Sequence, residues 1–303
     1  MYRLAISCFS VMLSPLYVGN NSGNDMGETR IKIGKMEFTA VFMLCKWIVR
    51  VRGCLEPKRS FPKENYMKIL NDIISDITED SKIQEIHTCI HWTAVVSSSC
   101  GLSSTFQDDR IPHVPVRDAG GLAQKTALEV LEYARSDNLL EASIGMAALN
   151  SLIEIDEDRC VELNAFEILA EKGRGKNVCV VGHFPFIPRM RKLANKLWVI
   201  EKRPQKGDLP AEEAENVLPI ADVVAITGTS FINNTVDELL SLCRKSFVVM
   251  VGATSPLSPI LFDYGVDMIA GSKVVDPQKA ICCISEGATF KQIRGIKHLI
   301  MKK

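Results

Sequence analysis

The stretch "VCVVGHFPFIPRM", Val178 to Met190, opens as a buried β-strand, turns at Gly182 and then leaves the expected path. A dinucleotide-binding loop continues G-x-G-x-x-G, because only glycine lets the backbone approach a pyrophosphate. Here Phe184 and Ile187 stand where those glycines would be. The strand therefore predicts an α/β sheet, while the loop predicts a smaller or non-phosphorylated ligand with an aromatic face stacked on it.

Further strands follow at the same rhythm. "LWVIEK", "ADVVAITGT", "SFVVMVG" and "VDMIAGS" are short apolar runs, separated by segments long enough for a helix. Runs apolar on both faces belong to parallel strands covered on both sides, so this half reads as a doubly wound α/β sheet. Before the hinge "EKGRGKN", Glu171 to Asn177, the chain reads differently. Apolar positions from Tyr66 to Ile77 recur at helical spacing over residues 64–79, and "IQEIHTCIHWTAVVSS" predicts one strand or two joined by a tight turn. "CGLSSTF" supplies a return strand, "IPHVPVRDAGG" a loop, and two helices are expected over residues 122–134 and 139–153. Strands first and helices after them make this half α+β.

Ligands of an open parallel sheet bind outside the carboxyl ends of its strands, where loops and helix N-termini converge. The expected ends are Gly182-His183-Phe184, Glu201, Thr227-Gly228-Thr229-Ser230, Gly252-Ala253-Thr254-Ser255-Pro256 and Gly271-Ser272. Glu201 lies nineteen positions after Gly182, where an acidic residue can hold ribose hydroxyls. "TGTSFINNTVDELL" offers more hydroxyl and amide groups, Asn233 and Asn234 included, than a helix cap requires. His183 and His91 are the candidate acid/base residues. Phe184 has two readings, a stacking face for the ligand or, with Phe186, a plug of the core beneath the loop.

Composition limits the partners. The chain has 303 residues, 47% hydrophobic and 24% charged, and its 36 basic residues balance 36 acidic ones. No overall field draws it to nucleic acid or to an anionic membrane. Ten cysteines include no C-x-x-C pair, and Cys89, Cys179 and Cys243 lie in or beside apolar runs. Free thiols in a reducing, cytoplasmic setting fit better than a disulfide framework or a zinc site. In the first sixty residues, "LAISCFSVMLSPLYVG" lacks a small-residue cleavage site, and "FTAVFMLCKWIV" is too short to span a bilayer. Residues 1–60 are expected to be an extension outside the fold.

Together, "TAVVSSSCGLSST", "SIGMAALNSL", "VVGHFPFI", "ADVVAITGTSFINNTVDELL", "GATSPLSPILFDYGVDMIAG" and "KQIRG" resemble the prokaryotic "putative heavy-metal chelation" domain family, over about residues 64–300. The TGTS-x-x-N-N-T and G-x-T-S-P-x-S-P loops are its most specific blocks. The resemblance implies an enolase N-terminal-like α+β domain over residues 64–170, then a Rossmann-like domain over residues 176–303 with partial similarity to methyltransferases. It also implies a site between them, to which the first domain contributes His91, Thr93 and Gly101. The expected ligand is a small organic molecule, a metal chelate or a pterin-, flavin- or siderophore-like compound, handled by condensation or hydrolysis. An S-adenosylmethionine-dependent methyltransferase and a non-enzymatic metal or metal-chelate carrier are the alternatives. Cofactor, metal ligands and self-association are left open, with no nucleic acid and no membrane expected.

Overall fold

The computed structural model describes residues 67–106 and 114–303. The extension expected over residues 1–60 lies outside the described residues, as do the start of the first expected helix and residues 111–113 of the Pro-rich loop. The described residues form a mixed α/β structure with an eight-stranded, mostly parallel sheet and a separate three-stranded antiparallel sheet.

The small sheet comes first. After α1 (Lys68–Ser75), strands β1 (Glu85–Thr88), β2 (Trp92–Val96) and β3 (Cys100–Ser104) pair in order. The long β-branched run thus divides at residues 89–91, and Cys89 N–H closes the turn on the Trp92 carbonyl at 2.9 Å. The first expected helix after them is interrupted. A single 3-10 turn (Leu122–Gln124) precedes α2 (Ala127–Leu131), because Thr126 and Glu129 form a reciprocal cap that starts the helix anew. A second 3-10 turn, Glu132–Arg135, leads to α3 (Leu139–Leu152), capped by the Asn138 side chain on Leu140 N–H at 3.1 Å.

Helix α3 is buried nearly all round, because β2 and β3 cover one side and the α2 segment the other. Such packing brings backbones together without side chains between them. A Cβ on Gly145 would lie 1.9 Å from Ala134 N, and one on Gly101 of β3 would lie 2.1 Å from the Ala147 carbonyl oxygen.

Near the start of α3 sits Glu141, 3% exposed. It accepts Arg117 N–H at 2.8 Å, Arg117 Nε at 2.9 Å and Ser136 Oγ at 2.7 Å. Burial pushes its carboxyl up, but the Ser136 hydroxyl, the Arg117 backbone N–H and the guanidinium outweigh burial and hold it below the usual range. A carboxylate lowered by folding stabilises above its unfolded pKa, and that stabilisation is lost as pH falls through the folded value. Glu141→Gln is expected to cost roughly 2 kcal/mol at neutral pH. Urea titrations from pH 7 to pH 3 should show the gap to the wild type closing below the ordinary glutamate range; a gap independent of pH would contradict this assignment.

The large sheet has the order β4-β11-β10-β9-β8-β5-β6-β7. Its strands are β4 (Cys160–Val161), β5 (Asn177–Val181), β6 (Lys196–Glu201), β7 (Leu209–Pro210), β8 (Val223–Thr227), β9 (Phe247–Val251), β10 (Met268–Val274) and β11 (Ile296–Lys302). From β10 to β7 neighbours run parallel; β11 is antiparallel to β10, and β4 to β11. Alternation along the strands divides two cores. Val178, Val180, Val223, Ala225 and Val249 face the layer carrying α4 (Ala165–Gly173) and the single turn α5 (Ile187–Met190). Cys179, Val224, Ile226, Val248 and Met250 face the opposite layer, with α6 (Ala214–Val217) and α7 (Val236–Leu242). The small sheet is covered on its second face by α8 (Pro277–Ser285), through Ala280 and Ile284. No helix among the described residues is long and apolar enough to cross a membrane.

Two differences from the sequence reading bear on the site. Strand β10 does not end at Gly271-Ser272, because β11 pairs with it as far as Val274. Strands β4, β7 and β11 carry polar residues or are very short, so a search for runs apolar on both faces passes over them.

Candidate functional site

The carboxyl ends of β5, β8 and β9 and the middle of β10 open onto one cleft of about 380 Å³. One wall is aromatic, with Phe166 from α4 and Phe184 and Phe186 from the loop after β5. Across from the large sheet's loops, Trp92 and Ser104 of the small sheet reach the same cleft, with Phe290 and Lys291 of the turn before β11 and His298 on it. Thr227 to Thr229 and Gly252 to Thr254 bring hydroxyl and backbone polar groups to its lining.

Gly182 turns the chain with φ 103°, a left-handed value that favours glycine, and a Cβ there would press on Thr227 and Phe184 at 3.1 and 3.2 Å. The turn brings Phe184 over the end of β8. Phe184 and Phe186 stack at 5.1 Å between centroids and 11° between planes, and Phe186 continues onto Phe166 at 6.2 Å. Asn164 fixes that second ring by capping α4, accepting Phe166 N–H at 2.9 Å. Both loop phenylalanines are half-buried, packing on the core beneath while lining the cleft above. The N–H groups of Ile187, Arg189 and Met190 close on the carbonyls of Phe184 and Phe186, so they are spent within the loop.

After β8, Thr227 Oγ1 accepts Thr229 N–H at 3.3 Å and shares a 3.0 Å hydrogen bond with Thr229 Oγ1. Two hydroxyls sharing one bond leave one O–H at the cleft for a ligand. Gly228 between them packs against the next loop: a Cβ on it would lie 2.3 Å from Ser255 N and 2.5 Å from Ser255 Oγ. Ser230 and Ser255 are 1% and 3% exposed, and their hydroxyls have no partner among the described residues. Thr254 is engaged instead. Its hydroxyl accepts Ser104 N–H at 2.9 Å and donates to Ser104 Oγ at 3.2 Å, joining the small sheet to the end of β9. Asn150 supports this joint by donating to the Leu102 carbonyl at 2.9 Å.

Of the residues picked out from sequence, Phe184, Thr227, Gly228, Thr229 and Thr254 line the cleft, with Gly182 shaping the turn behind Phe184. Ser230, Ser255 and Pro256 lie buried outside its lining. Asn233 accepts the Thr235 hydroxyl at 2.6 Å, and Asn234 takes up φ 56° in the same turn. Several others stand elsewhere. His183 Nδ1 is 3.0 Å from Asp208 Oδ2, a carboxylate that also accepts Gln205 N–H. Glu201 accepts the N–H of neighbouring Lys202 at 2.7 Å. His91 is exposed in the β1–β2 turn, Thr93 is fully buried and bonded to Thr105 at 2.9 Å, and Gly101 packs on α3.

Sequence reasoning missed Phe166, Arg189, Phe290, Lys291 and His298. Arg189 lies with its guanidinium carbon 3.8 Å from the centre of the Phe166 ring, and His298 meets Phe290 edge-on at 5.1 Å. An aromatic beside a lysine in the polar turn "ATFKQI" was the available signal.

The residues do not fit a metal ion held directly. Among the described residues no group of three His, Cys, Asp or Glu side chains could hold one, and the described lining contributes only His298 of those types.

Two family models match the chain, DUF4213 over residues 70–153 and DUF364 over residues 164–301, both described as "Putative heavy-metal chelation". An uncharacterized protein of Methanocaldococcus jannaschii is 25% identical over 239 residues, covering 74% of this chain and 91% of that protein. A DUF364-family protein of unknown function from Desulfitobacterium hafniense has a crystal structure similar to this one, with a TM-score of 0.70 and 27% identity, over 79% of this chain and all of that one. Another from Pyrococcus horikoshii shares the fold at a TM-score of 0.66 and 18% identity, over 78% of this chain and 98% of that one. These matches support the resemblance to that family read from the loops.

Proposed function

Taking the family matches as premise, we propose that the chain binds a small organic molecule of the metal-chelating class in the cleft at the strand ends. Any heavy metal is met as part of that chelate, not through the protein's own side chains. The lining carries this reading: aromatic rings from separate parts of the chain, a few hydroxyls, and no ligand set for a bare cation among the described residues. The strand order β6-β5-β8-β9-β10, which reverses direction between β5 and β8, supports a Rossmann-like reading of residues 176–303. The antiparallel strands followed by helices support an enolase N-terminal-like reading of residues 64–170 up to β4, where the chain joins the large sheet. A reducing compartment belongs to the same reading, in keeping with buried thiols at Cys100 and Cys243 that desolvation pushes up to about 12. His183 and His91 stand outside the described lining, so no proton transfer is assigned to them.

The test is mass spectrometry of small molecules that co-purify with the full chain. Phe184→Ala and Phe290→Ala are expected to reduce retention about tenfold or more, since each removes a stacking face, with Glu201→Gln as a control that keeps wild-type occupancy. The half-buried Phe184 should cost only ~1–2 kcal/mol of stability when truncated, less than a full core phenylalanine. Wild-type retention by both phenylalanine variants would remove the cleft as the site.

A further inference from the structure

The charges around the cleft are one-sided. Its described lining contains Arg189 and Lys291 and no aspartate or glutamate. Neither cation has a carboxylate partner among the described residues, and the Arg189 side chain rests on the Phe166 ring. That contact holds the guanidinium at the cleft wall while leaving its N–H groups open to a ligand. Lys291 comes from a different element, the turn Phe290–Gln292, so two separate parts of the fold direct positive charge to one cavity. Over the whole chain acidic and basic residues cancel, so this excess is local.

We infer that the cleft selects planar organic anions, with Arg189 and Lys291 as the residues that set this specificity. The inference rests on the cleft being the ligand site and adds the ligand's charge and shape. The fused-ring or conjugated body lies against Phe184, Phe186 and Phe290. Its carboxylate or sulfonate meets the guanidinium and ammonium groups, and the spare Thr227–Thr229 hydroxyl hydrogen donates to a further acceptor. A bare divalent cation is repelled by the same two side chains, whereas a chelate with net negative charge is accepted.

Two probes of nearly equal shape isolate the charge: 2-naphthoate and its neutral amide, 2-naphthamide, titrated calorimetrically into the full chain at low ionic strength. The wild type should bind the naphthoate about tenfold more tightly, the scale of one charge-assisted hydrogen bond, and added salt should narrow the difference. In the double variant Arg189→Gln, Lys291→Gln the preference should vanish, the two probes binding about equally; Arg189→Lys, which keeps the charge, should retain most of it. Melting curves of each variant establish that it is folded. If the wild type binds both probes equally, and Phe290→Ala weakens both, the cleft stands as the site and the anion selection is overturned. Binding of neither probe would overturn both.

Discussion

Gly145→Ala should destabilise the protein by ~3 kcal/mol or more, beyond the usual cost of overpacking, because the added methyl meets backbone that cannot rotate away. The new Cβ would stand 1.9 Å from Ala134 N and 2.5 Å from the Tyr133 carbonyl carbon. Relief requires α3 to move off the Glu132–Arg135 turn, and α3 is also pinned on its other side, where Gly101 brings β3 against Ala147 and Ser151. Gly101→Ala should therefore act similarly, and the two effects should at least add, since a shift of α3 off one contact presses it onto the other. Gly121→Ala is the control. Its Cβ would meet only the Asp118 carbonyl oxygen at 3.4 Å, an ordinary contact, so urea denaturation should find it close to wild type. Equal stability of Gly145→Ala and Gly121→Ala would contradict the packing described for α3.

The second large effect concerns the cleft itself. Gly228→Ala should abolish most ligand retention, by a factor of about ten or more, and cost roughly 1–3 kcal/mol of stability. Alanine there drives a methyl into Ser255, so the loops after β8 and β9 must separate. Thr227, Thr229 and Thr254 stand on those two loops, and the hydroxyl pairing of the first two depends on the turn that Gly228 begins. Retention of the co-purifying molecule and melting temperature should both fall. Phe184→Ala should lower retention with a smaller fall in melting, and a Gly228→Ala protein that retained its ligand would separate the loop from the site.

Legibility in the sequence followed physical distinctness. Strands β5, β8 and β9 were readable because both faces are buried, which writes continuous Val, Ile and Ala runs into the chain. Loops at their carboxyl ends could then be ranked, and Phe184, Thr227, Gly228, Thr229 and Thr254 do line one cleft. Strand-end logic does not bring Glu201 to this cleft, because it ends β6 on the far side of β5 from β8. It could not reach Phe290, Lys291 or His298 at all. Those residues meet the cleft only because β11 turns back antiparallel along β10, and "IKHLIMK" carries charges that disguise a strand. Arg189 was hidden for another reason: its position depends on Phe166, twenty-three residues earlier, and on the cap that orients that ring. Gly101 packs against α3. A glycine in a strand can mark a ligand's approach or a helix's, and local sequence does not distinguish them.

The central claim is that one cleft, walled by Phe184 and Phe290 and floored by the Thr227–Thr229 turn, holds the natural ligand. Its most direct test is a crystal structure of the protein purified from its own host without dialysis, so that the co-purifying molecule stays bound. The account predicts planar density stacked against Phe184 and Phe186, with an acidic group within hydrogen-bond distance of Arg189 or Lys291. Density for that molecule beside Glu201 and Asp208, with the cleft holding only solvent, would contradict it.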